Sequence, residues 1–402
     1  MSFSFNNSYA RLAPAFFAKL DPSPVKEPKW IAFNRELSAE LGLDPDTWES
    51  EDGLSYLSGN EIAPGSEPLA MAYAGHQFGG FVPQLGDGRA ILLGEVIDRN
   101  GNRRDIQLKG SGPTPFSRRG DGRSALGPVL REYLVSEAMA AMGIPTTRAL
   151  AAIWSGESVW REEKAPGGVF TRVASSHLRV GTVEYFSARG DEAALRELVR
   201  YAVARHDPEA VEAADPAFRL LDGVGKRQAS LVARWMGVGF IHGVMNTDNT
   251  SLSGETIDYG PCAFLDTYDP EKVFSSIDRY GRYAYQNQGP IAQWNLARLA
   301  EALMPVLIGE SNGDEEAAVA QANEIISSFE AKFTEALNDV FARKVGFEKS
   351  DGIVEGLSGK LLEAMHEAGS DFTITFRQLS SSLDSEAAHV EFGNQFREKD
   401  SI

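Results

Sequence analysis

From Arg89 the chain alternates apolar and polar positions through "RAILLGEVID" and again through "RRDIQLKG", the period of two that places successive side chains on opposite faces of a strand. The linking "RNGN" supplies the Asn and Gly of a tight turn, so the two runs predict a β-hairpin with Lys109 near its far end. "SALGPVLREYLVSEAMAAMGIP" then shifts to helical periodicity, with Pro128 in its first turn and Gly143 and Pro145 as its stop. Strand-like runs return at "RALAAI" and "GGVFTRVA". After about residue 190 helical patterns dominate, through "AALRELVRYAVARH", "RQASLVARWMGVGFIHGV", "AQWNLARLAEALMPVL" and "AAVAQANEIISSFEAKFTEALNDVFARKV", with β character only in "TSLSGETIDYGPCAFLD". Strands early and helices late predict an α+β protein with a small β-rich part and a larger helical part. Residues 1–68, broken by prolines that include Pro14, Pro22, Pro24, Pro28, Pro45 and Pro64, read as an extension with one helix near Ile31 to Leu41.

A chain of 402 residues that is 43% hydrophobic can bury sizeable cores. Its formal charge of −18 disfavours general binding to nucleic acid or anionic membrane, which depends on clustered Lys and Arg. The single cysteine, Cys262, fits a reducing compartment, and no apolar run approaches the twenty residues of a membrane span, so the expected location is cytoplasmic.

One segment departs from the acidic average. Between Leu85 and Arg131 nine basic residues face five acidic ones, a local balance of +4. This stretch carries the glycine-rich runs "GHQFGGFVPQLGDGR" and "KGSGPTPFSRRGDGRS", whose backbone N–H groups can approach a polyphosphate. Either run alone reads equally well as ordinary turns with solvated arginines; two copies of "GDGR" flanking the hairpin favour phosphate. Lys109 on a strand and Glu132 on the next helix have the placement by which kinases aim an ammonium at nucleotide phosphates, although a surface Glu and a strand-end Lys give the same pattern. Taken as an exposed pair, they would contribute only about 0–1 kcal/mol to folding.

"HGVMNTDN" has the outline of a kinase catalytic loop, yet the third position, which should hold the basic Asp, is Val244, while Asn249 keeps the place of the metal-binding Asn. Nine residues later "IDYG" puts Asp258 where a second oxygen ligand for a hard cation belongs.

With "YAGHQFGGFVPQLGDGRA", "DIQLKGSGPTPFSRRGDGRSALGPVLREYLVSEAM", "RVASSHLRVGT", "GFIHGVMNTDN" and "TIDYGPCAFLD", the chain closely resembles the selenoprotein O family of kinase-fold pseudokinases. The resemblance implies a protein-kinase-like two-lobed fold: an N-terminal extension (1–68), a small lobe with nucleotide-binding loops (69–165) and a helical large lobe (166–402) that is short at its C-terminus. It implies transfer of AMP from ATP, or UMP from UTP, to protein hydroxyls, with Mg²⁺ or Mn²⁺ as cofactor and the nucleotide reversed relative to a kinase. Gly86, Gly88, Arg89, Lys109, Asp121, Gly122, Arg172, Arg179 and Asp258 then match nucleotide-binding positions, Glu132 the lysine's ion-pair partner, Asn249 and Asp258 the metal ligands, and Asp248 the proton acceptor, unless Asp248 is only a structural loop residue. Members of that family usually run further and end near a cysteine or selenocysteine, which this sequence lacks, so redox pairing of Cys262 is not expected. The alternatives are an atypical phosphotransferase that uses Asp248 as its base, and a nucleotide-binding scaffold without turnover.

Overall fold

A computed structural model describes residues 5–394 and 396. They form two units, one of residues up to 221 with 246–259 and 298–320, the other of 222–245, 260–297 and 321 onward.

The first unit is built on an eight-stranded sheet. In chain order its elements are β1 (Phe17–Lys19), β2 (Lys29–Phe33), helices α1 (Arg35–Glu40), α2 (Pro45–Trp48) and α3 (Glu51–Ser58), β3 (Leu69–Met71), a small separate hairpin of β4 (Gly75–Gln77) and β5 (Gly80–Val82), the long hairpin β6 (Ala90–Ile97) and β7 (Arg103–Lys109), β8 (Ser124–Ala125), α4 (Leu126–Ala141), β9 (Arg148–Trp160), β10 (Lys164–Ala174), α5 (Val180–Ser187) and α6 (Glu192–His206). The sheet runs β1-β3-β6-β7-β10-β9-β2, with β8 against β10, and every pairing is antiparallel.

The β6–β7 turn forms as its sequence dictates. Gly101 takes a φ of 83°, and Asp98 Oδ1 accepts from the backbone N–H of Asn100 and of Asn102. Helix α4 stops at Gly143, which has a φ of 73°.

The reading of a single helix within residues 1–68, near Ile31 to Leu41, is corrected. The Ile31–Leu41 stretch begins as strand β2 and becomes helix only at Arg35, after Asn34 caps the N–H of Leu37. Leu37, Leu41, Trp48 and Leu57 of α1–α3 are buried with Leu93, Ile106, Leu108, Ile153, Val169 and Val173 in one core, each such side chain contributing about 1.5–3 kcal/mol. Three-residue strands and one-turn helices are too short to show a period, which is why the pattern missed them. The β character expected in "TSLSGETIDYGPCAFLD" reduces to isolated bridges and a two-residue strand, because Gly254 at φ 75° and the left-handed Asp258 break any longer ladder.

On the other face of the sheet α4 lies against β9 and β10 through Val129, Ala149, Ala152 and Phe170. Asp105, Gln107 and Lys109 alternate with Ile106 and Leu108 and are buried too. That side carries His177, whose Nδ1 lies 3.0 Å and whose backbone N lies 2.9 Å from Asp105 Oδ2, while its Nε2 is buried without a partner among the described residues. The geometry fits a neutral ring with the proton on Nδ1, since a proton on Nε2 would be a buried, unanswered donor. Burial pushes the His177 pKa down to about 4, with Arg172 and Arg179 adding to the effect against Asp105. Burial raises the Asp105 carboxyl, but Arg205 and His177 outweigh it and bring the pKa down to about 2. Both groups bind protons more readily in the unfolded chain, so both destabilise the fold as pH falls: His177 from its unfolded value near 6.5 down to about 4, Asp105 from about 3.8 down to about 2. Asp248, whose folded pKa is raised to about 6, acts in the opposite sense over the same window, so the comparison with a variant isolates the histidine: chemical denaturation between pH 7 and 4 should show His177→Gln losing less stability, or gaining more, than the wild type as pH falls, and an unchanged slope in the variant would remove His177 as a contributor.

The second unit takes in much of the remaining helical chain: α7 (Pro216–Gly237) and α8 (Gln288–Glu310) in part, and α9 (Glu315–Lys344) for most of its length, with β11 (Phe240–Ile241), β12 (Ala263–Phe264), α10 (Gly352–Ala368), α11 (Phe372–Ser381) and α12 (Glu386–Asn394). Its core joins Met236, Ile241, Leu265, Tyr285, Phe341, Met365 and Phe372. Among the described residues no helix is long and apolar enough to cross a membrane.

Candidate active site

The site is assembled within the first unit from β7, α4, β10, the N-terminal edge of α5 and the segment 246–259. Lys109, last in β7, pairs with Phe170 of β10 in register, and Arg172 pairs with Gln107, so adjacent strands present Lys109 and Arg172 together. Glu132, one helix later, is buried among the apolar residues of α4 and reaches Lys109 Nζ at 2.5 Å. The pair is therefore buried, with Lys109 8% and Glu132 5% exposed, which corrects the reading of an exposed pair of small energetic weight.

All three cations converge on one carboxylate. Asp258 Oδ1 accepts from Lys109 Nζ and from Arg172 Nη1, each at 2.7 Å, and Oδ2 accepts from Arg179 Nη1 at 2.9 Å. Asp258 itself stands at a φ of 61°, a left-handed conformation that costs a non-glycine residue about 1–2 kcal/mol and that its ion pairs hold in place. Burial alone would raise its pKa, but Arg172, Lys109 and Arg179 overcome that and keep it ionised well below the usual carboxylate range. Three cations against Asp258 and Glu132 leave one positive charge, which an anionic ligand would neutralise.

Arg179 also ties this cluster to the segment 246–250, because the same Nη1 donates to the carbonyl of Asp248 at 2.8 Å. Its guanidinium lies 4.6 Å from the centroid of Tyr73. Asp248 is 8% exposed, its Oδ1 has no partner among the described residues, and burial, reinforced by the nearby Asp258, lifts its pKa to about 6 against Gln77 and Arg179. Asn249 follows it at the end of a single 3-10 turn and is half-buried.

The first "GDGR" loop packs on residues 114–117, and the second packs on Gly112. A Cβ on Gly86 would stand 2.3 Å from the Phe116 ring, one on Gly88 would stand 2.8 Å from the Phe116 carbonyl, and one on Gly122 would stand 2.0 Å from Gly112. Thr114 and Ser117 donate to the carbonyls of Asp87 and Gly88 at 2.7 and 2.5 Å. Arg89 is exposed at the edge of the first loop. Asp121 is exposed as well and pairs with Arg161 at 2.9 Å. Among the described residues neither Asp121 nor Arg89 is ion-paired with the Asp258 cluster, whereas Lys109, Glu132, Arg172, Arg179 and Asp258 form one connected group.

Several residues in this constellation had no signal in the sequence reading. Gln107 accepts from Arg172 Nη2 at 2.7 Å and donates to Asp87 Oδ2 at 3.1 Å, and Asp87 also accepts from the N–H of Met71. The alternation of "DIQLK" could have exposed Gln107 as a polar residue sharing a strand face with Lys109.

Among the described residues no three His, Cys, Asp or Glu side chains gather into a metal cage. Asn249 and Asp258 nonetheless offer the hard oxygen donors that suit Mg²⁺, which takes one or two protein ligands and completes its shell with waters and substrate phosphates.

A profile described as Protein adenylyltransferase SelO matches residues 1–399. The chain is 63% identical over 380 residues to "Protein nucleotidyltransferase YdiU" of Methylorubrum populi, covering 94% of this chain and 76% of that protein. It is 61% identical over 387 residues to the protein of the same description from Rhizobium rhizogenes, covering 96% and 76%, and 59% identical over 387 residues to that from Bradyrhizobium diazoefficiens, covering 96% and 78%. A match spanning nearly the whole sequence, over a site where three cations meet one aspartate, places the chain in the SelO family of protein adenylyltransferases.

Proposed function

We propose that the chain transfers a nucleotidyl group, AMP from ATP with UMP from UTP as a related activity, to Ser, Thr or Tyr hydroxyls of proteins. The observation that carries this reading is a cluster of three cations suited to phosphate beside a loop whose kinase base position is Val244, with Asp248 buried and one of its oxygens without a hydrogen-bond partner among the described residues. The fold would be kinase-like, with an extension (1–68), a small lobe (69–165) and a large lobe (166–402), and the nucleotide would lie reversed, its α-phosphate near Asp248.

In that arrangement Lys109, Arg172 and Arg179 hold phosphate oxygens, and Glu132 keeps the ammonium aimed. The backbone of the glycine loops, with Gly86, Gly88, Arg89, Asp121 and Gly122, receives the rest of the nucleotide. The acceptor oxygen bonds to the α-phosphorus as the bond to the bridging oxygen breaks; the proton goes to the Asp248 carboxylate, and pyrophosphate leaves. Asn249 and Asp258 would hold Mg²⁺ or Mn²⁺, which supplies charge neutralisation at the phosphates when bound. Transfer at phosphorus depends mainly on positioning and electrostatics, which this residue set provides.

ATP labelled separately at the α and γ positions tests the proposal. Label from the α position, and none from the γ position, is expected in protein products or in the chain itself. Equal γ transfer would make it a phosphotransferase, and binding without transfer of either label would make it a scaffold.

A further inference from the structure

We propose that the β4–β5 hairpin is the positioning element of the catalytic loop, with Gln77 as the residue that orients Asp248. Gln77 Nε2 donates to Asp248 Oδ2 at 3.1 Å, and the other carboxylate oxygen, Oδ1, is buried with no partner among the described residues. Oδ2 is thus held by the Gln77 amide while Oδ1 is packed beside Gly75, so the hairpin fixes the orientation of the whole carboxylate. The inference rests on the reading of Asp248 as the proton acceptor.

The first strand of the hairpin and its turn are held to the loop. The N–H of His76 donates to Thr247 Oγ1 at 2.7 Å, Thr247 Oγ1 donates to Glu184 Oε2 at 2.5 Å, and Glu184 Oε1 lies 2.5 Å from His76 Nδ1, closing a ring of three residues from β4, α5 and the loop. The N–H of Phe78 donates to Asn246 Oδ1 at 3.1 Å. Phe78 takes a φ of 52° and Gly79 a φ of 85°, both in the left-handed region that a two-residue hairpin turn requires. Phenylalanine is a costly residue there, and the bond to Asn246 is what the strained turn secures. Contact is close enough to need glycine: a Cβ on Gly75 would stand 2.9 Å from Asp248 Cβ and Oδ1, and one on Gly181 would stand 2.1 Å from the Ala74 carbonyl and 3.4 Å from Asp248 Cα. Four consecutive residues, Gly75 to Phe78, therefore each touch the loop from Asn246 to Asp248.

A carboxylate acting on a hydroxyl must be held in a narrow range of orientation, and small misplacements far from the bond being made cost large factors in rate. Gln77→Ala should lower kcat about tenfold or more while leaving nucleotide KM and thermal stability near wild type. Gln77→Glu, which keeps the length but sets a like charge against Asp248, should lose more than Gln77→Ala. His76→Asn, whose amide can take the place of Nδ1 toward Glu184, should retain activity that His76→Ala loses. In an Asp248→Asn background Gln77→Ala should add no further loss, because a residue acting through Asp248 has nothing left to orient.

Label is followed from both the α and γ positions of ATP, so whichever group the wild-type protein transfers is the activity scored, and failure of the nucleotidyl reading is seen separately. Amide hydrogen exchange of residues 246–250 reads the same contact without turnover and should be faster in Gln77→Ala. Wild-type kcat in Gln77→Ala, an equal further loss in the Asp248→Asn background, or unchanged exchange of the loop overturns the proposal.

Discussion

Replacing Asp258 with Ala is expected to abolish metal-dependent nucleotide binding and to reduce transfer by about a hundredfold or more, a barrier increase of roughly 3 kcal/mol. Two separate losses combine. The first is the charged oxygen ligand proposed for a divalent cation. The second is visible in the protein itself: Lys109, Arg172 and Arg179 lose their common acceptor, and removing one partner of a buried ionic cluster costs about 3–5 kcal/mol of stability.

The same electrostatics gives the experiment an internal check. With Asp258 gone, three cations face Glu132 alone, so triphosphate without metal should bind Asp258→Ala at least as well as wild type and raise its melting temperature more. Asn249→Ala, which removes a neutral ligand, should be milder in both respects. Calorimetry with ATP and Mg²⁺ giving wild-type affinity and full transfer in Asp258→Ala would take this aspartate out of the site.

The second large effect concerns Lys109 and Glu132. Lys109 has two acidic neighbours, Glu132 Oε1 at 2.5 Å and Asp258 Oδ1 at 2.7 Å. If Asp258 turns to a metal, Glu132 is the partner that remains to aim the ammonium. Lys109→Met should suppress transfer strongly, and Glu132→Gln should do so in part, since an amide keeps the hydrogen-bond geometry but not the charge. Losses in the double variant should fall well short of the sum, because two residues acting as one unit show coupling.

Burial changes how this cycle must be read. An exposed pair would leave stability almost untouched, but a pair at 8% and 5% exposure does not, so methionine and glutamine are preferred to alanine and turnover is compared at temperatures well below each variant's unfolding. Strictly additive activity losses, or an unfolded fraction large enough to account for the missing turnover, would show that the two residues are independent or structural.

Much of this site is legible in the sequence because its parts sit on elements with strong local signals. The hairpin ending at Lys109 follows from alternation and an Asn-Gly turn, the helix carrying Glu132 from its period and its glycine stop, and the loops of Asn249 and Asp258 from spacing that survives the loss of the base at Val244. Each is a short-range property, set by neighbours a few residues apart.

Other features depend on residues brought together across the chain. "DIQLK" predicts alternation but not that its polar face is buried, a fact decided by the elements packed around it and by Arg172, sixty-five residues from its partner Gln107. The three N-terminal helices joined the core because their isolated apolar side chains find a sheet face to cover, which no period within 1–68 announces. Gln77 and Asp248 are 171 residues apart, and only the close approach allowed by Gly75 and Gly181 makes them neighbours. Sequence alone determined the types of the longer elements and the identity of the chemical groups; tertiary structure decided the short elements, which of those groups lose their water and which partner each charge finds, because burial and ion pairing act through distances that sequence spacing does not measure.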